Sequence, residues 1–217
     1  MKVRLIAATQ PVTSETAEFG SDLKEFIAFC ARVSNPSNQM NHETSERLLN
    51  YLAKHAHWSP FEMASATMEI ETTRDIARQI LRHRSFSFQE FSQRYADPTG
   101  DLGFVTREAR LQDEKNRQAS IEVEDTTLQG EWELRQQLVI SAAQEAYAWA
   151  IENGIAKEQA RAVLPEGNTV SRMYMAGTIR SWMHYVVLRA GIETQKEHRE
   201  IALEVAKAIS EIYAIEV

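Results

Sequence analysis

The chemistry-bearing stretch of this chain runs from Gln79 to Tyr95: Gln79-Ile80-Leu81-Arg82-His83-Arg84-Ser85-Phe86-Ser87-Phe88-Gln89-Glu90-Phe91-Ser92-Gln93-Arg94-Tyr95. Gln79 and Arg82 are three apart, which puts them on one face of a helix. Past Arg84 the chain offers hydroxyls (Ser85, Ser87, Ser92), a carboxylate (Glu90) and a further guanidinium (Arg94). From 55 to 114 every basic residue other than His is Arg and none is Lys. Arg presents a rigid fork of donors that grips phosphate bidentately and stacks on planar rings. Serine hydroxyls and loop amides complete a phosphate cradle. The stretch is built to hold a phosphorylated, planar molecule; composition alone equally allows a solvated helix end with surface arginines.

Charge narrows the ligand. The 217 residues carry a formal net charge of -7. Arg74 to Arg94 holds five Arg against Asp75 and Glu90, a local +3 in an acidic protein. A small positive island suits a compact anion, whereas nucleic-acid binders carry a basic face. Aromatic residues make up only 8%, which also disfavours a single-strand binder. Cys30 is the only cysteine, so no internal disulfide forms, as expected of a reducing cytoplasm. MKVRLIAATQ lacks a long apolar run and nothing reaches 18 apolar residues, so a soluble chain with no visible export signal and no membrane partner is expected.

The elements that position these residues follow from periodicity. Residues 2–8 read as a strand. Residues 22–33 repeat Leu23, Phe26, Ile27, Cys30 and Val33 at the helical period. Thr44 or Ser45 caps a helix to about His55 with Leu48, Leu49 and Leu52 inward. Residues 63–72 alternate Ala64, Ala66, Met68 and Ile70 with Ser65, Thr67, Glu69 and Glu71, a half-buried strand. A helix follows over 74–84, then the loop that carries Ser85 to Arg94. Residues 97–120 read as a loop or mobile segment, with Arg107–Arg117 a solvated charged face. A long helix spans 128–152 and stops at Asn153-Gly154. A short one lies at 157–163, and two more at 171–189 and 194–214, with Met173, Met175, Trp182 and Met183 as helix-core residues. The expected class is α+β: one helix-dominated domain over 1–217 with a small antiparallel sheet.

Arg82-His83-Arg84, seven residues, then Ser92 resembles the R-H-R-x7-S signature of the flavin-dependent thymidylate synthases. Its wider form places Ser, Glu and Arg-Tyr where Ser87, Glu90 and Arg94-Tyr95 stand. Three further stretches are similar to family elements in the expected order: Cys30-Ala31-Arg32-Val33-Ser34, Lys54-His55-Ala56-His57-Trp58-Ser59-Pro60-Phe61-Glu62 and Ala160-Arg161-Ala162-Val163-Leu164-Pro165. Arg180-Ser181 and Leu188-Arg189-Ala190 then follow as the late helix would. The resemblance covers about residues 25–210.

That resemblance implies a flavin-dependent thymidylate synthase fold and conversion of dUMP to dTMP, with FAD as cofactor and NADPH and methylenetetrahydrofolate as co-substrates. It implies dUMP contacts from Gln79, Arg82, Glu90, Phe91, Ser92, Gln93, Arg94, Arg161 and Arg189. It implies FAD contacts from Ser59, Arg82, His83, Arg84, Glu90, Thr178, Arg180 and His184. Arg189 would sit against the uracil and promote loss of its N3 proton, a role that fits a guanidinium, which stabilises an anion but is no base at neutral pH. No enzyme cysteine would attack, consistent with Cys30 on a core helix. A homotetramer with sites shared between subunits is implied too. The chain departs from the commonest pattern at Gln89, Gln93, Thr178 and His184.

Plainer roles compete with these. Ser59-Pro60-Phe61-Glu62 also reads as a capping box with Pro at the first helical position. His55-x-His57 lacks a nearby Cys or acid and so makes no metal site. Arg161 could serve a surface salt bridge, and Arg189, after an apolar run, needs an anionic partner if buried. Three rival functions are a non-catalytic nucleotide or nucleic-acid module, a degenerate relative that keeps only the fold, and a cysteine-dependent thymidylate synthase.

Overall fold

The structure is a computed structural model that describes residues 1–12 and 22–210. Its centre is a four-stranded antiparallel sheet in the order β1 (Lys2–Ala8), β2 (Ser65–Thr73), β6 (Val170–Thr178) and β3 (Ser87–Glu90). The alternation along β2 buries Ala66, Met68 and Ile70 and leaves Ser65, Thr67, Glu69 and Glu71 less covered. In register with it, Met68 faces Met175 and Ile70 faces Met173, so two strands lay one apolar face. The other face carries cross-strand pairs: Arg4 with Glu69 at 2.9 Å and Arg172 with Glu71 at 2.8 Å.

Helices cover the apolar face: α1 (Leu23–Ala31), α2 (Ser45–Lys54), α3 (Arg74–Ile80), α7 (Ile179–Arg189) and α8 (Lys196–Ser210). Leu23, Ile27, Leu49, Ile80, Trp182 and Val205 meet there, all buried. Full burial of each such side chain is worth roughly 1.5–3 kcal/mol. The indole of Trp182 would be costly to bury unpaired; its Nε1 donates to the Ala66 carbonyl at 3.1 Å. Asp22 caps α1 through the Lys24 amide, and Thr178 caps α7 through the Ser181 amide. The long helix α5 (Thr126–Glu152) starts on the Asp125 cap and ends where Gly154 turns the chain at φ 76°. It packs on α6 (Lys157–Ala160) through a small second cluster of Tyr147, Ala150, Ala160 and Leu164.

The class is α+β, helix-dominated with a small antiparallel sheet, as expected, but four segments differ. Residues 171–178 are not helix: Val170–Thr178 is the strand β6, paired on both sides, and Met173 and Met175 are core residues of the sheet. The expected loop after Arg84 contains the edge strand β3. The helix expected to reach Arg84 stops at Ile80, because the Arg82 and His83 amides bond back three residues, to Gln79 and Ile80, in a tighter turn. The irregular 97–120 stretch holds α4 (Pro98–Asp101) and a hairpin of β4 (Arg110–Gln112) with β5 (Ser120–Glu122). Arg107 and Arg110 there are no solvated face: Arg107 pairs with Asp75 at 2.5 Å, and Arg110 with Glu197. Residues 211–214 of the expected last helix lie outside the described residues.

Candidate active site

The expected ligand residues fall into three groups. The first gathers at the start of α7. Ser59 opens a 3-10 turn, Ser59–Glu62, with Pro60 in its first positions; Trp58 stands at the cap, and the Ser59 side chain makes no capping bond. The capping-box reading of Ser59 is therefore incorrect, which leaves its exposed hydroxyl available. Buried Phe61 anchors the turn against the Trp58 ring at 6.1 Å. Glu62 then accepts from Arg180 Nη1 at 2.6 Å. A hydrogen bond from Thr178 holds its carboxyl below the usual range; burial opposes this and Arg180 reinforces it. The His184 ring meets the Trp58 indole edge-on at 4.7 Å. So Ser59, Thr178, Arg180 and His184 share one corner.

The second group lies at the C-terminal end of α7, nine helical residues from Arg180, or roughly 13 Å along the axis. Arg189 Nε donates to His83 Nε2 at 3.0 Å. Burial, then Arg189, then Arg82 push the His83 imidazole down to about 4, so it is neutral and its other nitrogen carries the proton. Arg189 is half-buried, and its partner is this neutral ring and not the anion that a buried Arg was expected to need. Gln79 sits beside it on α3, its amide donating to Gln195 at 2.8 Å.

The third group lies toward the other end of the sheet. Glu90 pairs with Met173, five residues before Thr178, hence roughly 17 Å from the first corner. Its carboxylate accepts from Arg74 Nη1 at 3.2 Å and Ser171 Oγ at 2.7 Å. Phe91 continues the pairing with one amide bond to Arg172 at 2.8 Å, and Ser92 Oγ accepts from the Arg94 amide at 3.4 Å. The Arg94 guanidinium meets Glu158 of α6 at 3.3 Å, next to Arg161. Gln93 is buried, 4% exposed, and its Nε2 has no hydrogen-bond partner among the described residues. Such a donor costs about 1–3 kcal/mol unless something accepts from it.

Arg74, Arg78, Arg94, Arg107, Arg110, Arg172 and Arg180 are all paired with carboxylates. Arg82, Arg84 and Arg161 have no carboxylate and no side-chain hydrogen bond among the described residues. Those guanidiniums are free to take an external anion. The described residues hold no group of three or more His, Cys, Asp or Glu able to bind a metal, and none of their helices is long and apolar enough to cross a membrane. Cys30 is half-buried on α1, and burial raises its thiol, which keeps it from being a ready nucleophile.

Comparison with known proteins gives these groups a common frame. A sequence profile described as thymidylate synthase complementing protein matches residues 17–213. A probable flavin-dependent thymidylate synthase of Paramecium bursaria Chlorella virus 1 is 46% identical over 98% of this chain and 94% of its own length. The flavin-dependent thymidylate synthase of Synechocystis sp. is 47% identical over 95% and 93%. The chain belongs to the flavin-dependent thymidylate synthase family. Membership makes it an enzyme, a flavin-dependent thymidylate-forming methyltransferase. Its fold is similar to a solved UMP/dUMP methylase, PolB from Streptomyces cacaoi, bound with 5-Br dUMP: TM-score 0.79, 25% identity, 97% of this chain and 90% of that one.

Residues outside the expected set hold some of the expected ligand residues in place. Glu62 fixes Arg180, Arg74 and Ser171 fix Glu90, and His198 with Tyr185 stands behind Gln79. His198 carried a readable signal. It falls on the helical stripe of Ile201, Ala202, Val205 and Ile209, where a titratable group among apolar residues marks a buried polar contact.

Proposed function

We propose that this chain converts dUMP to dTMP, with methylenetetrahydrofolate as carbon donor and FAD, reduced by NADPH, as the source of hydride. The observation that carries this reading is the set of uncompensated arginines. Arg82, Arg84 and Arg161 lack carboxylate partners in a chain that pairs most of its neighbouring arginines, and Arg189 meets only a neutral imidazole. Two phosphorylated, ring-bearing ligands would complete them, one through Arg161 with the Glu158-paired Arg94 beside it, the other through Arg82 and Arg84. The orphaned Gln93 amide fits the same reading, because a bound polar group would accept from it.

The residues present fit the flavin. Ser59, Arg82, His83, Arg84, Glu90, Thr178, Arg180 and His184 would hold it, with the Glu62–Arg180 pair keeping one guanidinium in place. Bound flavin supplies a hydride. Gln79, Arg82, Glu90, Phe91, Ser92, Gln93, Arg94 and Arg161 would orient dUMP. Arg189 would lie along the uracil edge and stabilise negative charge as N3 loses its proton, which pushes electron density toward C5, the carbon that must attack. Its His83 partner cannot neutralise that charge, so the guanidinium keeps its full field for the uracil.

The first corner stands roughly 13 Å from the second group and roughly 17 Å from the third, which suits a homotetramer with sites shared between subunits. The exposed apolar face of α5 favours it too: Leu134 is 59% exposed, Leu138 58% and Trp149 59%. The whole chain acts as a single cytoplasmic domain in this reading, without nucleic acid or membrane. The test is the visible spectrum of purified protein after FAD reconstitution, followed by dUMP. Flavin bands that shift on dUMP addition support a stacked nucleotide. Protein that takes up no flavin leaves a nucleotide-binding relative without this chemistry.

A further inference from the structure

A line of buried polar side chains runs behind Gln79. His198 is fully buried on the core face of α8. Its Nδ1 lies 3.3 Å from Gln79 Oε1 and its Nε2 lies 3.2 Å from the Tyr185 hydroxyl. On the other side, Gln79 Nε2 meets Gln195 Oε1 at 2.8 Å, Gln195 Nε2 meets Glu197 Oε2 at 2.9 Å, and Arg110 donates to Glu197 Oε1.

The direction of every bond in this line follows from one end. Burial raises the Glu197 carboxyl, but the hydrogen bonds from Arg110, from its own backbone amide and from Gln195 outweigh it and leave it ionised. A carboxylate only accepts, so Gln195 must donate with its nitrogen and turn its oxygen to Gln79. Gln79 must then donate in its turn, which directs its own oxygen at His198. His198 therefore carries its proton on Nδ1, and its Nε2 accepts from Tyr185. The ring is neutral, pushed down to about 3 by burial and by Arg189 and His83, and burial keeps the Tyr185 phenol protonated.

We propose that His198 is a positioning residue for the nucleotide site: with Tyr185 behind it, it acts together with Gln195 to lock the Gln79 amide in one of its two flipped orientations, so that the remaining N–H of Gln79 is the group offered to dUMP. This rests on the reading of Gln79 as a dUMP contact. Without the His198 donor, the Gln79 oxygen loses its partner, and the Gln195 bond alone is left to keep the amide from turning its carbonyl toward an anionic ligand.

The experiment uses the FAD-loaded enzyme and reads dUMP dissociation from the flavin spectrum, together with kcat, KM and Tm, for Gln79→Ala, His198→Leu, His198→Asn and Tyr185→Phe. Expected is about tenfold weaker dUMP binding and a matching rise in KM for His198→Leu, or ~1.4 kcal/mol. FAD content and kcat should stay near those of the parent. His198→Asn, whose amide nitrogen reproduces the Nδ1 donor, should restore binding even with a lowered Tm. Gln79→Ala combined with His198→Leu should lose no more than Gln79→Ala alone. Tyr185→Phe, which keeps the ring and drops one oxygen, carries the same expectation if His198→Leu does not fold. Weakened binding in Gln79→Ala with unchanged binding in the His198 and Tyr185 variants overturns the positioning role alone. Unchanged binding in Gln79→Ala overturns both that role and the reading of Gln79.

Discussion

Arg189 Nε donates to His83 Nε2 across 3.0 Å, a permanent cation held against a neutral ring. The pairing orients the guanidinium without spending its charge, and the imidazole is kept neutral by burial first, then by the same cation and by Arg82. Replacement of Arg189 by Ala should leave FAD binding intact, because the first corner of Ser59, Thr178 and Arg180 is untouched. Turnover should fall by about 10²-fold or more, the usual cost of a lost oxyanion-type donor. Near-normal dTMP formation by Arg189→Ala would remove the residue from the mechanism.

Acid should weaken the fold in a defined window. His83 and His198 titrate at about 4 and about 3 in the folded chain, against an ordinary value near 6.5. Between those values the unfolded chain binds more protons, so stability rises with pH through the window and levels off above about 6.5. Read downward, stability is lost as pH falls from about 6.5 toward 4. His198 is fully buried and should dominate; His83 is half-exposed, and solvent screens its share. Thermal unfolding measured from pH 7 to pH 4.5 should show a shallower fall in Tm for His198→Asn than for the parent chain. An unchanged slope would mean that His198 is protonated in the fold.

The sequence displayed most of this arrangement, and its failures are physical. β2 was readable because Ala66, Met68 and Ile70 alternate cleanly with polar residues. β6 alternates too, burying Ser171, Met173 and Met175, but Met, Ala and Arg favour helices, and local propensity pointed the wrong way. Pairing with β2 and β3 on both sides overrides that preference. The signature Arg82-His83-Arg84 pointed to the family that the comparisons show, whereas no local pattern could show that Arg189 would meet His83 or that Glu90 would meet Arg74 and Ser171. Those partners are up to 106 residues apart in the chain.

Gly177 is required by its neighbour. It is the next-to-last residue of β6 and lies beside Phe86, and a Cβ built there would stand 2.4 Å from the Phe86 ring. The ring cannot retreat freely, since it packs on Trp182 at 4.6 Å. Gly177→Ala should cost about 1–3 kcal/mol by overpacking. It should also disturb the loop that delivers Arg82, His83 and Arg84. Denaturant unfolding reads the first effect and FAD affinity the second; a fully stable Gly177→Ala protein would mean that Phe86 has another place to go.

Helix α5 bears on whether the three separated groups form one site. Leu134, Leu138, Ala142, Ala146 and Trp149 recur every three or four residues, so they form one stripe along the helix. The stripe runs into a groove of about 680 Å³ that Ile155, Ala160 and Val163 help to line. An apolar band of this length on a chain of net charge -7 is an expected contact between copies. Leu134→Glu with Leu138→Glu puts two carboxylates into that band while leaving the buried face of α5, Ile140 and Tyr147, as it was. The folded chain should then sediment as a smaller species, with its helical signal intact. It should lose the dUMP-induced change in the flavin spectrum if, as proposed, the site is shared between subunits. A dissociated variant that still binds dUMP and turns it over would show that one chain builds the whole site, and the shared-site reading would fall.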